Sequence, residues 1–302
     1  MGIFSYNMKE GPGVSKDERK KKGVFLYIDI VFRKFLKLIQ ANMMYLILSI
    51  PYLIIAFALF APMVMNAFGM NLAMEGMGDY SADEMTSVAE VFFRTAIALF
   101  LFNYFGSGPA AAAYAYATRC YTRGEHTWLI SDAKDKIKEN FKQSILLLIL
   151  DLIVIILAMN AAGFYSALMS TATGGMATAF QLARYVTLMA TFIYMVMHIY
   201  IYQIMVTYEC KFIDLLKNSA IMALAKLPMT IVLTVITAFV FFLSVRFIAI
   251  YNPFAFALVY GVLGMTFMRY PLEFYAARVI EKNIRAQSKK QENSKAKITY
   301  DE

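Results

Sequence analysis

Four ionisable residues stand inside stretches of this chain that are otherwise apolar: Asp151, His198, Arg269 and Glu273. A charge in a long apolar segment is expensive, so such residues are candidates for a functional polar cluster. If the segments are helices crossing a membrane, Asp151 lies about eight residues, or roughly 12 Å, into its span. His198 and Arg269 lie at a similar depth from the same side. An acid, a base and an imidazole at one level could bind a polar ligand or carry a proton. They could equally supply a buried Asp151/Arg269 ion pair that fixes helix register. Glu273 follows Arg269 by four positions, the spacing of a pair within one helix, although Pro271 disturbs the turn between them. Asp151 and Glu273 are therefore rival partners for Arg269.

A second candidate is a break in an apolar segment at Gly106, Ser107, Gly108 and Pro109. Proline suits the first turn of a new helix, with Ser107 or Gly108 available as its cap. A helix N-terminus near mid-membrane offers free backbone groups that can hold anionic or hydroxylated ligands. The alternative is close helix packing through Gly and the alanines that follow. Tyr114, Tyr116, Tyr194 and Tyr200 could form a sugar site, but aromatic residues populate membrane interfaces in any case.

Other chemistry is not legible. The chain has no HExxH and no GxSxG, and its two His are at 126 and 198. Cys120 and Cys210 belong to no CxxC or Cys/His cluster, so neither a zinc site nor a disulfide is expected. Glu75, Asp79, Asp83, Glu84 and Glu90 lack EF-hand spacing, although Ser81 and Glu84 have the spacing of a capping box. No catalytic residue, metal or cofactor is expected, and the chain reads as a non-enzyme.

The elements that must position these residues are helices in a bilayer. Hydrophobic residues make up 60% of the 302 and charged residues 17%, which leaves no room for a separate soluble domain. Long apolar runs can satisfy their backbone inside lipid only as helices. The sequence predicts an all-α polytopic protein with six transmembrane helices, over about 43–65, 91–118, 143–165, 181–207, 227–245 and 254–276. All but four of the 29 Lys and Arg, the exceptions being Arg94, Arg184, Arg246 and Arg269, fall in stretches on one side of these spans. By the positive-inside rule that side is cytoplasmic and holds both termini. The net charge of +8 is therefore placed to meet an anionic inner leaflet of the lipid bilayer, and no nucleic acid is expected as partner.

Residues 24–39 carry Asp29, Arg33 and Lys37 on one face and read as an N-terminal interfacial amphipathic helix. Ile130, Ala133, Ile137 and Phe141 recur at helical spacing and predict a cytoplasmic amphipathic helix between spans two and three. Residues 1–23 read as a basic disordered N-terminus without a cleaved signal peptide, and 281–302 as a polar disordered tail. The membrane domain is 24–280. The two inner connections look alike in outline, which an internal duplication or alternating helices alone would produce.

Asn42 with Ser49-Ile50-Pro51, then Gly108-Pro109-Ala110 through Arg119 to Arg123-Gly124-Glu125, then Glu139-Asn140-Phe141-Lys142-Gln143-Ser144 resemble the YesL-like family of bacterial membrane proteins, a domain family of unknown function. The likeness spans about residues 30–280, with a longer basic N-terminus and first outer loop than that family has. It implies a Gram-positive bacterium's cell membrane and a setting beside carbohydrate import. The resulting expectation is an accessory or interaction subunit associated with carbohydrate transport, in contact with sugar ABC importer subunits. The alternative is a transporter: a permease subunit of a sugar ABC importer, or a secondary carrier for a polar solute. The permease hallmark loop is absent. Its nearest counterpart, Asn218-Ser219-Ala220 through Lys226-Leu227-Pro228, lacks the glutamate and the glycine. An oligomer is compatible with either reading.

Overall fold

The computed structural model describes residues 23–67, 107–244, 246–247 and 253–283, and the regular structure among them is helical throughout. The helices are α1 (Gly23–Arg33), α2 (Phe35–Ala67), α3 (Pro109–Arg123), α4 (Leu129–Thr171), α5 (Gly175–Met205), α6 (Phe212–Ala225), α7 (Leu227–Ser244), α8 (Pro253–Met268) and α9 (270–283). The expected first outer loop, the start of span two, and most of both tails lie outside the described residues.

Side chains are arranged inside out. On α7 the buried positions are Thr230, Thr234, Thr237 and Phe241, whereas Val232, Val235, Ile236 and Phe239 are exposed. Leu146, Ile149, Ile153 and Leu157 of α4 and Leu182, Val186 and Met189 of α5 are exposed as well. Water would penalise such a surface, while hydrocarbon does not. Among the described residues three helices, α4, α5 and α7, are long and apolar enough to cross a membrane. Together they point to a multi-pass membrane protein.

Several expected boundaries differ, among them span six, which is divided at Arg269 into α8 and α9. The interfacial helix over 24–39 is divided at Lys34, and its second half runs directly into span one as α2. Backbone hydrogen bonds carry across the turn, from Lys34 N to Ile30 O (2.8 Å) and from Leu38 N to Lys34 O (2.9 Å). The α1 helix also packs on protein: Tyr27 stacks on Tyr270 and meets Phe274 edge-on, at 5.6 and 5.5 Å between ring centres. Phe25 and Phe32 remain exposed.

The separate amphipathic helix before span three is not separate. It is the first third of α4, a single helix of 43 residues. At 1.5 Å per residue that is roughly 65 Å, about twice the hydrocarbon thickness, so part of it extends beyond the bilayer. Nothing interrupts it, for its stretch of sequence holds no proline and has Gly163 alone as a glycine. Asp132 steadies its start by accepting from Trp128 N (2.9 Å) and Thr127 Oγ1 (2.7 Å).

At the centre is α3, with Ala110 to Ala115, Ala117, Thr118 and Cys120 to Thr122 all buried. Its small side chains let α2, α4 and α5 close around it. Among the described residues the basic stretches gather at one end of the bundle. Contacts there include Lys34 Nζ to Glu125 O (3.5 Å), Arg119 Nη1 to Val206 O (2.6 Å), Gln143 Nε2 to Cys210 O (2.6 Å) and Asn283 Nδ2 to Met222 S (3.4 Å). Burial, followed by Lys37 and Arg33, holds the Lys34 ammonium below its ordinary pKa.

Gly108 precedes α3 with φ of +59°, and a Cβ there would lie 3.2 Å from the Ser144 carbonyl oxygen. Gly124 follows α3 with φ of +76° and open space around it. Gly124→Ala should therefore cost only the left-handed strain, about 1 kcal/mol, and Gly108→Ala about 2 kcal/mol or more. Unfolding of both variants in one detergent checks this; equal losses would remove the close approach of α3 to α4.

Candidate functional site

Asp151 faces the core from α4 and is fully buried. Its Oδ1 accepts the Tyr194 hydroxyl at 2.6 Å, and His198 Nε2 stands 2.9 Å from the same oxygen. Both partners come from α5, one turn apart, so a single helix face presents them. Asp151 Oδ2 is buried and has no hydrogen-bond partner among the described residues. Beside the pair, Tyr52 of α2 packs with Leu148, Leu152, Ile155 and Ile156 of α4.

Arg269 is 4% exposed and sits in the turn between α8 and α9. Its Nε donates to Glu273 Oε1 at 3.0 Å, and Nη1 to the Tyr45 hydroxyl at 3.3 Å. The guanidinium lies over the rings of Tyr45, Tyr202 and Tyr114, at 5.3, 5.6 and 5.8 Å from their centres. Gln203 of α5 completes the group by donating through Nε2 to Glu273 Oε2 (2.6 Å) and to Ala115 O (3.0 Å).

The four sequence candidates thus divide into two neighbouring groups. Asp151 joins His198, and of its two rival partners Arg269 takes Glu273. The reason is the place of Pro271. It disturbs nothing, because it lies in the first turn of α9, where a missing N–H costs little. Arg269 O accepts from Leu272 N (3.1 Å) and Glu273 N (3.0 Å), which brings the Glu273 side chain back to the guanidinium. Tyr202 links the groups, with its ring 6.2 Å from that of His198 and under Arg269.

The helix break supplies the start of α3 as anticipated, with Pro109 in its first turn and Gly108, one of the two residues expected there, as its cap. Gly108 is the cap residue of α3 and makes no side-chain bond, and Ser107 Oγ instead meets Ser49 Oγ of α2 at 2.6 Å, both buried. Gly108 lies close against α4, where a Cβ on it would stand 3.2 Å from Ser144 O and 3.5 Å from Leu148 Cβ. Gly106 lies outside the described residues. The four tyrosines do not converge: Tyr114 touches Arg269, Tyr194 Asp151, Tyr200 the hydroxyl of Thr230 at 2.8 Å, and Tyr116 the basic end. Cys120 and Cys210 are both free thiols, pushed upward in pKa first by burial.

Gln203, Tyr202 and Tyr45 were missed. Gln203 left one signal, an amide in the apolar run Ile199 to Met205. The tyrosines left none, since their neighbours are remote in sequence.

Chemically, the Asp151–His198–Tyr194 group sets one carboxylate oxygen against an imidazole nitrogen and a phenol hydroxyl, three groups that exchange protons in general acid–base chemistry. The Arg269–Glu273–Gln203 group holds two opposite charges and a hydrogen-bond bridge from α9 through α5 to the α3 backbone. Among family models, curated proteins and solved structures, comparison found no match to this chain.

Removing one member of the buried pair leaves the other charge uncompensated, at about 3–5 kcal/mol. Arg269→Gln and Glu273→Gln should each lose that much in denaturant unfolding of the detergent-solubilised protein. The double substitution should lose clearly less than their sum. Additive losses would mean that the two side chains do not act as a pair.

Proposed function

We propose that this chain is a non-catalytic accessory subunit of bacterial carbohydrate uptake, in contact with sugar ABC importer subunits. It crosses the cell membrane six times and keeps both termini and the basic end in the cytoplasm. The observation that carries this reading is the basic end itself. There α1, the start of α4 and α6 combine cationic residues with exposed apolar ones: Phe25 and Phe32, Trp128 and Ile130, Ile213 and Ile221. Short amphipathic helices of this kind suit a lipid surface or the inner face of another membrane protein. The two buried groups support the same reading, because each joins helices to one another and so serves as a scaffold. The sequence resemblance to the YesL-like family supplies the carbohydrate setting.

A transporter is the second reading, favoured by one observation. Asp151 has a carboxylate oxygen without a hydrogen-bond partner among the described residues, beside an imidazole, an arrangement suited to taking up and releasing a proton as helices move. In that case the solute would be polar, and coupling would run through Asp151 and His198.

Affinity capture of the tagged full-length chain from native membranes, followed by mass spectrometry, should recover sugar permease subunits. Ile213→Glu with Ile221→Glu on α6 should cut that recovery by about tenfold or more. Capture without any permease subunit, even after cross-linking, would remove the accessory reading. Proteoliposomes containing the purified chain alone should show no sugar or proton flux. A flux that Asp151→Asn abolishes while the protein stays folded would establish the carrier instead.

A further inference from the structure

At the basic end a cleft of about 780 Å³ opens between the last turn of α3, the first turns of α4 and the segment 206–210 after α5. Neither functional reading uses it. Its walls carry Arg119, Lys136, Lys138 and Lys142 against two carboxylates, Glu139 and Glu209. Glu139 is taken up by Lys136 at 2.5 Å, so the remaining charge in the cleft is positive.

The inner cations are held in place. The Tyr116 ring has Arg119 at 5.4 Å and Lys136 at 5.1 Å from its centre. Arg119 Nη1 donates to Val206 O (2.6 Å) and Thr207 Oγ1 (2.9 Å), while its buried Nε has no hydrogen-bond partner among the described residues. The opposite wall is fixed as well, since Gln143 Nε2 donates to Cys210 O at 2.6 Å. Fixed cations lose little side-chain entropy when they take a ligand.

The outer cations have a reason to want one. Lys138 and Lys142 are exposed and four residues apart on α4. Like charges at that spacing repel along a helix, and an anion between them relieves the repulsion.

We propose that this cleft binds the phosphate group of an organic phosphate, between Arg119 on α3 and the exposed pair Lys138 and Lys142 on α4. A guanidinium and ammonium groups match the several oxygens of a tetrahedral phosphate. The volume exceeds that of the bare ion and leaves room for a small polar body attached to the phosphate. A phosphodiester lipid headgroup and a soluble phosphomonoester share this chemistry. The site stands whether or not the chain docks on a permease.

The test uses the full-length protein in phosphatidylcholine nanodiscs, with or without phosphatidylglycerol. Native mass spectrometry reads retained lipid, and calorimetry reads glycerol 3-phosphate and inorganic phosphate added to the phosphatidylcholine discs. Retention of phosphatidylglycerol without solute heat assigns a lipid headgroup, and heat without retention assigns a soluble phosphate; either supports the site. Lys138→Gln with Lys142→Gln should weaken the observed ligand by about tenfold or more, and Arg119→Lys by a similar factor. Arg119 also holds the 206–207 turn, so should Arg119→Lys fail to fold, the exposed lysine pair still decides. Absence of both retention and heat, or affinity unchanged in the lysine variant, overturns the proposal.

Discussion

Arg269 cannot give up its charge, and it is buried in a bundle whose outer surface is largely hydrocarbon. An unpaired guanidinium there would cost several kcal/mol, more than most single contacts return. The rest of the core is arranged around answering it. Glu273 supplies the opposite charge, Gln203 holds the second carboxylate oxygen, and the rings of Tyr45, Tyr114 and Tyr202 offer their electron-rich faces. These residues come from α2, α3, α5 and the α8/α9 junction, so one charge aligns most of the helices.

That arrangement requires close approach, and α3 provides it. A helix lined with alanine lets its neighbours come near enough for Gln203 to reach Ala115 O, and for Gly108 to sit against the α4 backbone. In lipid there is no hydrophobic drive between apolar faces, so small side chains and buried hydrogen bonds take over that work. Threonines facing inward on α7 follow the same logic, since Tyr200 to Thr230 ties α7 to α5.

The scaffold leaves two places with something unspent. One is Asp151 with His198 in the apolar interior, where a carboxylate oxygen stands against an imidazole nitrogen. The other is the cationic cleft of about 780 Å³ at the basic end, lined by Arg119, Lys136, Lys138 and Lys142. The first lies among helices, and the second lies among Lys and Arg at the basic end, so they face different environments.

The helical class, the long apolar elements and the separation of basic residues were legible in the sequence, because all three follow from local composition and from the backbone's need for internal hydrogen bonds. The four candidate residues were legible too, since a charge in an apolar run stands out one residue at a time. Which of them pair was not. Pro271 looked like an obstacle between Arg269 and Glu273, and only the turn at 269 turned it into the start of α9. Ser107 and Gly108 were both open as the cap of α3, and only the nearness of α2 gave the Ser107 hydroxyl to Ser49 and left the cap to Gly108. The tyrosines around Arg269 and the basic cleft depend on helices far apart in sequence. Local rules decide which segments become helices, whereas partners are chosen by distance in space, which packing alone sets.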